Sequence, residues 1–141
     1  MLPTAETRVE NAANSFFAAL RGEGNYELAE LMRPDGMMMI SDRMNPEKAN
    51  LIILPNAAYL ASQGEPFVEL MDYQIIVARD GVGQVWGPYR VIVDGKTTHC
   101  GINSLSFVES LEGFWQLGNS SFTMVPPDQC GNLDAPPEPT E

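Results

Sequence analysis

The chain holds one histidine, His99, four residues before Asn103 in a run that alternates polar and apolar side chains. Near neutral pH an imidazole can take or give a proton, which makes His99 the natural general acid or base. Alternate residues of a strand share a face, so His99, Gly101, Asn103, Leu105 and Phe107 point one way and Cys100, Ile102, Ser104 and Ser106 the other. The first set carries the larger apolar side chains and is expected to face the core. In the preceding run Val85, Gly87, Tyr89 and Val91 share a face, and in the following run Trp115, Leu117, Asn119 and Ser121 do. With all three faces turned inward, Tyr89, His99, Asn103, Asn119 and Ser121 form a polar cluster in a pocket walled by aromatic and methionine side chains.

In that arrangement Tyr89 and Asn103 polarise a carbonyl by hydrogen bonding while His99 moves the proton, and these three are the expected catalytic set. Glu69 and Asp72 are the carboxylates nearest the sheet interior, and either becomes a base if burial raises its pKa. Arg33, beside Pro34, can bind a carboxylate or enolate. Met38 belongs with Met32, Met37, Met39 and Met71 to a pliable apolar lining. Glu69, Arg33, Trp115, Asn119, Ser121 and Met38 are thus the expected ligand-binding residues. Plainer readings stand beside these: His99 as a hydrogen-bonded structural or rim residue, Tyr89 as core, Glu69 and Asp72 as solvated strand ends, Arg33 as a charge at a helix C-terminus. Trp86 alternates against Tyr89 and is expected on the outer face, at a dimer interface.

Other chemistries lack their residues. With no HxxE, HxH or CxxC pattern there is no metal site of usual form, and no glycine loop precedes a helix as a phosphate cradle. No cofactor is expected. Cys100 is adjacent to His99 but faces away from it, so it makes no nucleophile–base pair. The 19 Asp and Glu against 8 Lys and Arg leave a net charge of −11, with no basic cluster to meet nucleic acid or an anionic membrane. No apolar run is long enough to span a bilayer, and the first residues lack a basic segment followed by an apolar one, so a cytoplasmic protein is expected. Cys100 and Cys130 are read as free thiols, with a bridge pinning the tail to the sheet left open.

The elements that must position these residues are legible as patterns. Val9, Ala13, Phe16 and Leu20 recur at helical spacing, and Thr7 with Glu10 resembles a capping box, predicting a helix over about 5–21. Asn25 caps a second, shorter helix with Leu28, Leu31 and Met32 buried, ended by Pro34. Residues 36–40 read as a short strand, 42–54 are left without assignment, and Pro55 opens a third helix to about Gln63. Strands follow over about 69–79, 83–93, 97–109 and 114–124, joined at Asp80-Gly81, Asp94-Gly95 and Glu112-Gly113. The expected fold is α+β, three N-terminal helices on a curved antiparallel sheet, as one domain over 1–125. Residues 126–141 hold five prolines and four acidic residues and are expected to be extended or disordered.

The run Gln84-Val-Trp-Gly-Pro-Tyr-Arg-Val-Ile-Val-Asp-Gly-Lys-Thr-Thr-His-Cys-Gly-Ile-Asn-Ser-Leu-Ser-Phe-Val with Gly113-Phe-Trp-Gln-Leu, after helices carrying Phe16, Phe17 and Leu31-Met-Arg-Pro-Asp, resembles the nuclear transport factor 2-like (cystatin-like) superfamily. Within it the run is similar to the SnoaL-like and lumazine-binding-like branch. The resemblance covers roughly residues 5–124. It implies a strongly curved cone closed by the helices, an apolar cavity, and a homodimer through the outer sheet face. That branch often has an acidic residue where this chain has Asn103, which weakens a His–carboxylate pair. The superfamily spans cyclases, dehydratases, isomerases and non-catalytic modules. The leading expectation is a cofactor-independent isomerase, cyclase or dehydratase for a hydrophobic small molecule. The alternatives are a ligand-binding module and a dimerisation module whose cavity is filled by its own side chains.

Overall fold

The structure, a computed structural model, describes residues 3–139. Helix α1 (Ala5–Leu20) is capped by Thr4, whose side chain accepts from the Thr7 amide, so the cap lies three residues before the expected Thr7. Its buried stripe is Val9, Ala13, Phe16, Phe17 and Leu20, the helical spacing read from the sequence. Helix α2 (Leu28–Leu31) is a single turn that starts after Glu27, not at Asn25, with the Glu30 carboxylate accepting from the Glu27 amide. Met32 has already left the helix and bridges Leu117. The unassigned 42–54 segment supplies strand β2 (Asn50–Pro55), which forms a hairpin with β1 (Met37–Asp42). Helix α3 is Asn56–Ala61.

The long strand expected over 69–79 is two strands, β3 (Val68–Met71) and β4 (Ile75–Arg79), each antiparallel to β5 (Val82–Val93). The chain leaves the ladder at Asp72 because β5 carries Gly87-Pro88 there. The Asp72 carbonyl occupies the space a Cβ on Gly87 would fill, and Pro88 offers a carbonyl, taken by the Asp72 amide, but no N–H. Strand β6 (Lys96–Glu109) and β7 (Trp115–Met124) complete the meander. The turns at Asp80-Gly81 and Asp94-Gly95 have positive φ at both central residues, the geometry of tight hairpins.

The expectation of a strongly curved antiparallel cone is not met. The seven strands form one open, mixed sheet in the order β2-β1-β7-β6-β5-β3, with β4 beside β5. It is not closed, and β1 runs parallel to β7. The parallel step follows from the connection: after α2 the chain returns along β7 through Met32 and the Arg33 amide, which donates to the Leu117 carbonyl. The buried core lies between α1 and the sheet, around Val85, Leu105, Phe107 and Leu117.

The tail expected to be extended or disordered contains a 3-10 helix over Pro127–Leu133. Cys130 in it is bonded to Cys100 of β6, with Cα atoms 5.5 Å apart, so neither is a free thiol. The Arg90 guanidinium donates to the Pro136 carbonyl at 2.6 Å and holds the segment further along. No helix among the described residues is long and apolar enough to cross a membrane.

Two outcomes follow. A link across 30 residues restricts the unfolded chain, so reduction should lower stability by about 3 kcal/mol and Tm by about 10 °C, read by thermal melts with and without a phosphine reductant. At Gly101 a Cβ would meet the Thr123 carbonyl and, at 2.8 Å, the Tyr89 ring. Gly101→Ala should therefore cost about 3 kcal/mol by denaturant unfolding, whereas Gly64→Ala, with nothing near its Cβ, should cost little.

Candidate functional site

A cavity of about 340 Å3 lies between the inner sheet face, α1 and α3, walled mostly by apolar groups such as Phe16, Met32, Met38, Leu105 and Phe122. That size suits a small organic ligand. Few polar side chains reach it, and apart from Tyr89 and Ser120 they gather at two levels along β6.

The first place holds Glu69 and Asn103. Asn103 is 3% exposed, and its side-chain amide donates to the Glu69 carboxylate at 2.7 Å, with the Met71 sulfur 3.6 Å away. Glu69 faces the hollow from β3. Burial pushes its carboxyl up to about 7, because the charged form loses its water, and the Asn103 hydrogen bond only partly opposes this. Tyr59 of α3 lines the same cavity, and its phenol is pushed up to about 12 by burial and by the Glu69 charge. Tyr59 therefore keeps its proton at neutral pH.

The second place holds Thr98 and His99. In β6 the partner of Val91 is His99 and that of Ile92 is Thr97, which leaves Thr98 as the extra residue of a bulge. A regular strand would send Thr98 and His99 to opposite faces, yet both line the cavity here. Thr98 Oγ1 lies 3.0 Å from His99 Nδ1, and burial lowers the His99 pKa, with Asp42 acting the other way. Thr98 is exposed, so this end is the mouth of the cavity. Four residues of strand, about 13 Å, separate His99 from Asn103.

The expected five-residue cluster is thus divided. His99, Asn103 and Tyr89 do line the cavity, as do Glu69 and Met38. Tyr89, however, is 1% exposed and donates its hydroxyl to the Thr123 carbonyl at 2.6 Å, so that proton is committed within the protein. Asn119 and Ser121 are exposed on the other face, and the Asn119 side chain accepts from the Met37 amide. The cause is a second bulge: Ser106 pairs with Asn119 but Phe107 with Leu117, so Gly118 is extra and every side chain beyond it changes face. Ser120 and Phe122 take the inward places.

Arg33 lies outside the cavity, forked onto Asp35 at 3.0 and 2.9 Å and reaching Gln116 at 3.3 Å. Trp115 is buried but lies away from the cavity, with the Arg8 guanidinium 5.9 Å over its ring. Asp72 is exposed at the break between β3 and β4. Sequence reasoning missed Tyr59, Thr98 and Ser120. A glycine inside a strand, Gly118, is the one available signal of the bulge that brings in Ser120. Among the described residues no group of three or more His, Cys, Asp or Glu is placed to hold a metal ion.

No protein-family model matches this chain, and no curated protein matches it. Solved structures do. A protein of unknown function with a cystatin-like fold from Nostoc punctiforme is 13% identical with a TM-score of 0.59, covering 88% of this chain and 95% of that one. An NTF-2-like protein of unknown function from Pseudomonas aeruginosa is 14% identical at TM-score 0.57, covering 86% and 98%. A putative ketosteroid isomerase from Parabacteroides distasonis is 13% identical at TM-score 0.57, covering 84% and 86%. The chain has the NTF2-like (cystatin-like) fold.

A raised carboxyl makes stability depend on pH in a defined direction. The folded Glu69 pKa of about 7 exceeds the ordinary 4.5, so the folded state holds the proton more tightly. The stability this gives is fully present below pH 4.5 and is lost as pH rises to 7, a change of roughly 3 kcal/mol. Glu69→Gln should lack this loss and be the more stable protein at pH 8, measured by urea unfolding of both proteins across that range.

Proposed function

We propose that the chain is a cofactor-independent acid/base enzyme of the SnoaL-like kind, an isomerase, cyclase or dehydratase acting on a hydrophobic small molecule in the cavity. The observation that carries this reading is Glu69, a carboxyl held in an apolar hollow with Asn103 as its hydrogen-bond partner and an ionisation near neutral pH. A carboxylate in such surroundings is a stronger base than one in water, and its pKa matches the working pH. Glu69 takes the proton from a carbon beside a substrate carbonyl. Asn103 holds the carboxylate in place and Tyr59 donates its phenol proton in a hydrogen bond to the oxygen that gains charge. Protonated Glu69 returns the proton at another position or to a leaving hydroxyl, so no proton is gained or lost over an isomerisation.

The base in this reading is Glu69 rather than His99. His99 stands about 13 Å along the strand from Asn103 and is held neutral by burial. A putative ketosteroid isomerase shares the fold, which is in keeping with an isomerase. The Cys100–Cys130 bond favours an oxidising compartment over the cytoplasm as the place of work. A second copy would meet the outer sheet face, where Met39 and Leu51 are 43% and 60% exposed.

The same fold can serve as a binding module alone. The observation favouring that second reading is the commitment of the Tyr89 hydroxyl to Thr123, which removes one expected catalytic donor. Hydrogen exchange separates the two. Small molecules retained by the purified protein are identified by mass spectrometry, and any ketone found is incubated in D2O with the protein. Deuterium should enter beside the carbonyl at a rate that rises with pH to a plateau, with a midpoint near 7. Glu69→Gln should reduce that rate by at least about a hundredfold. Bound ketone with no exchange, or exchange unaltered in the variant, would leave the binding module as the correct reading.

A further inference from the structure

The mouth of the cavity is built with more order than an opening requires. The bulge at Thr98 turns two consecutive side chains toward the ligand space, and Thr98 Oγ1 has two partners: His99 Nδ1 at 3.0 Å and the Val91 carbonyl at 3.4 Å. A carbonyl only accepts, so the Thr98 hydroxyl donates to Val91. Its oxygen must then accept the Nδ1 hydrogen of His99. Both contacts are hydrogen bonds at once only in the tautomer with the proton on Nδ1 and a bare Nε2 that accepts. Burial keeps the ring uncharged in this state. The Tyr89 ring meets the imidazole edge-on, centroids 5.7 Å apart, and limits its rotation.

Charge sets a second condition. Among the described residues no Lys or Arg lines the cavity, and the charge that acts on His99 is the carboxylate of Asp42. An anionic group at the mouth would find no cation and one repelling carboxylate. Between the mouth and Glu69 the walls are apolar.

We infer that the cavity selects a neutral, elongated apolar molecule carrying a hydroxyl at the end remote from Glu69, and that His99 Nε2 reads this hydroxyl as a hydrogen-bond acceptor. His99 is then a specificity residue and not a proton carrier. The remote hydroxyl and the neutrality stand on the mouth alone. That the other end is the reacting carbonyl rests on the function proposed above.

The test uses three probes: a bicyclohexyl ketone with a hydroxyl on its distal ring, its deoxy analogue, and the analogue whose distal group is a carboxylate. Affinities are measured by calorimetry for the wild type, His99→Phe, Thr98→Val and Glu69→Gln. In the wild type the hydroxyl compound should bind about fivefold more tightly than the deoxy compound, and the carboxylate more weakly than either. His99→Phe should abolish the hydroxyl preference while keeping the deoxy affinity. Thr98→Val, which removes the oxygen that accepts from Nδ1 in this tautomer, should reduce the preference and leave the fold intact. Wild-type preference for the deoxy or carboxylate compound, or a hydroxyl preference retained in His99→Phe, overturns the inference. Glu69→Gln keeps the preference if the inference holds, even where deuterium exchange is absent throughout. The failure of the acid/base reading is thereby distinct from failure of this one.

Discussion

The pairing of β5, β6 and β7 decides which side chains meet in the cavity, because in a sheet of period two a single unpaired residue turns everything beyond it to the opposite face. Two such residues occur, Thr98 in β6 and Gly118 in β7. The first brings Thr98 inward beside His99. The second withdraws Asn119 and Ser121 and presents Ser120. Gly101 allows a third departure, since without a Cβ there the Thr123 carbonyl can turn toward Tyr89 and take its hydroxyl proton. The polar content of the pocket is thus set by irregularities in an otherwise regular ladder.

Glu69 faces mostly apolar walls, with Asn103 as its hydrogen-bond partner and no Lys or Arg among the described lining residues. A buried carboxylate without a cation is costly, and one amide hydrogen bond offsets only part of the lost hydration. The consequence is a group whose proton is gained and lost near neutrality, in a hollow walled mostly by apolar side chains. Arg33, the one cation that sequence reasoning set near the pocket, is neutralised by Asp35 outside it. Had it entered the hollow, its charge would have held Glu69 ionised and made it a weak base.

Much of the fold was legible because its signals are local. The spacing of Val9, Ala13, Phe16 and Leu20 gave α1 its buried stripe, and Asp-Gly pairs at 80–81 and 94–95 placed two hairpins to within a residue. Alternation oriented β5 and most of β6 correctly, so Tyr89, His99 and Asn103 do face inward. What failed depends on partners remote in sequence. The break at Asp72 answers to Gly87 and Pro88 across the ladder, and the parallel pairing of β1 with β7 links residues some eighty positions apart. The free-thiol reading of Cys100 and Cys130 failed for the same reason, since nothing between them indicates that the tail returns to β6. The site was legible as a list of inward residues, but the turn of Thr98 into the mouth beside His99 was not, because that bulge has no residue signature.

The sulfur bridge between Cys100 and Cys130 also makes the chain between them a covalent ring that contains most of β6 and all of β7. A protease that cuts the exposed Leu111-Glu112-Gly113 turn would open the backbone without releasing a fragment. The two pieces would still be tethered at Cys100, next to His99. In this molecule the wall that carries Asn103, Leu105 and Ser120 can survive backbone scission as one connected body, and its integrity depends on sulfur as much as on peptide continuity.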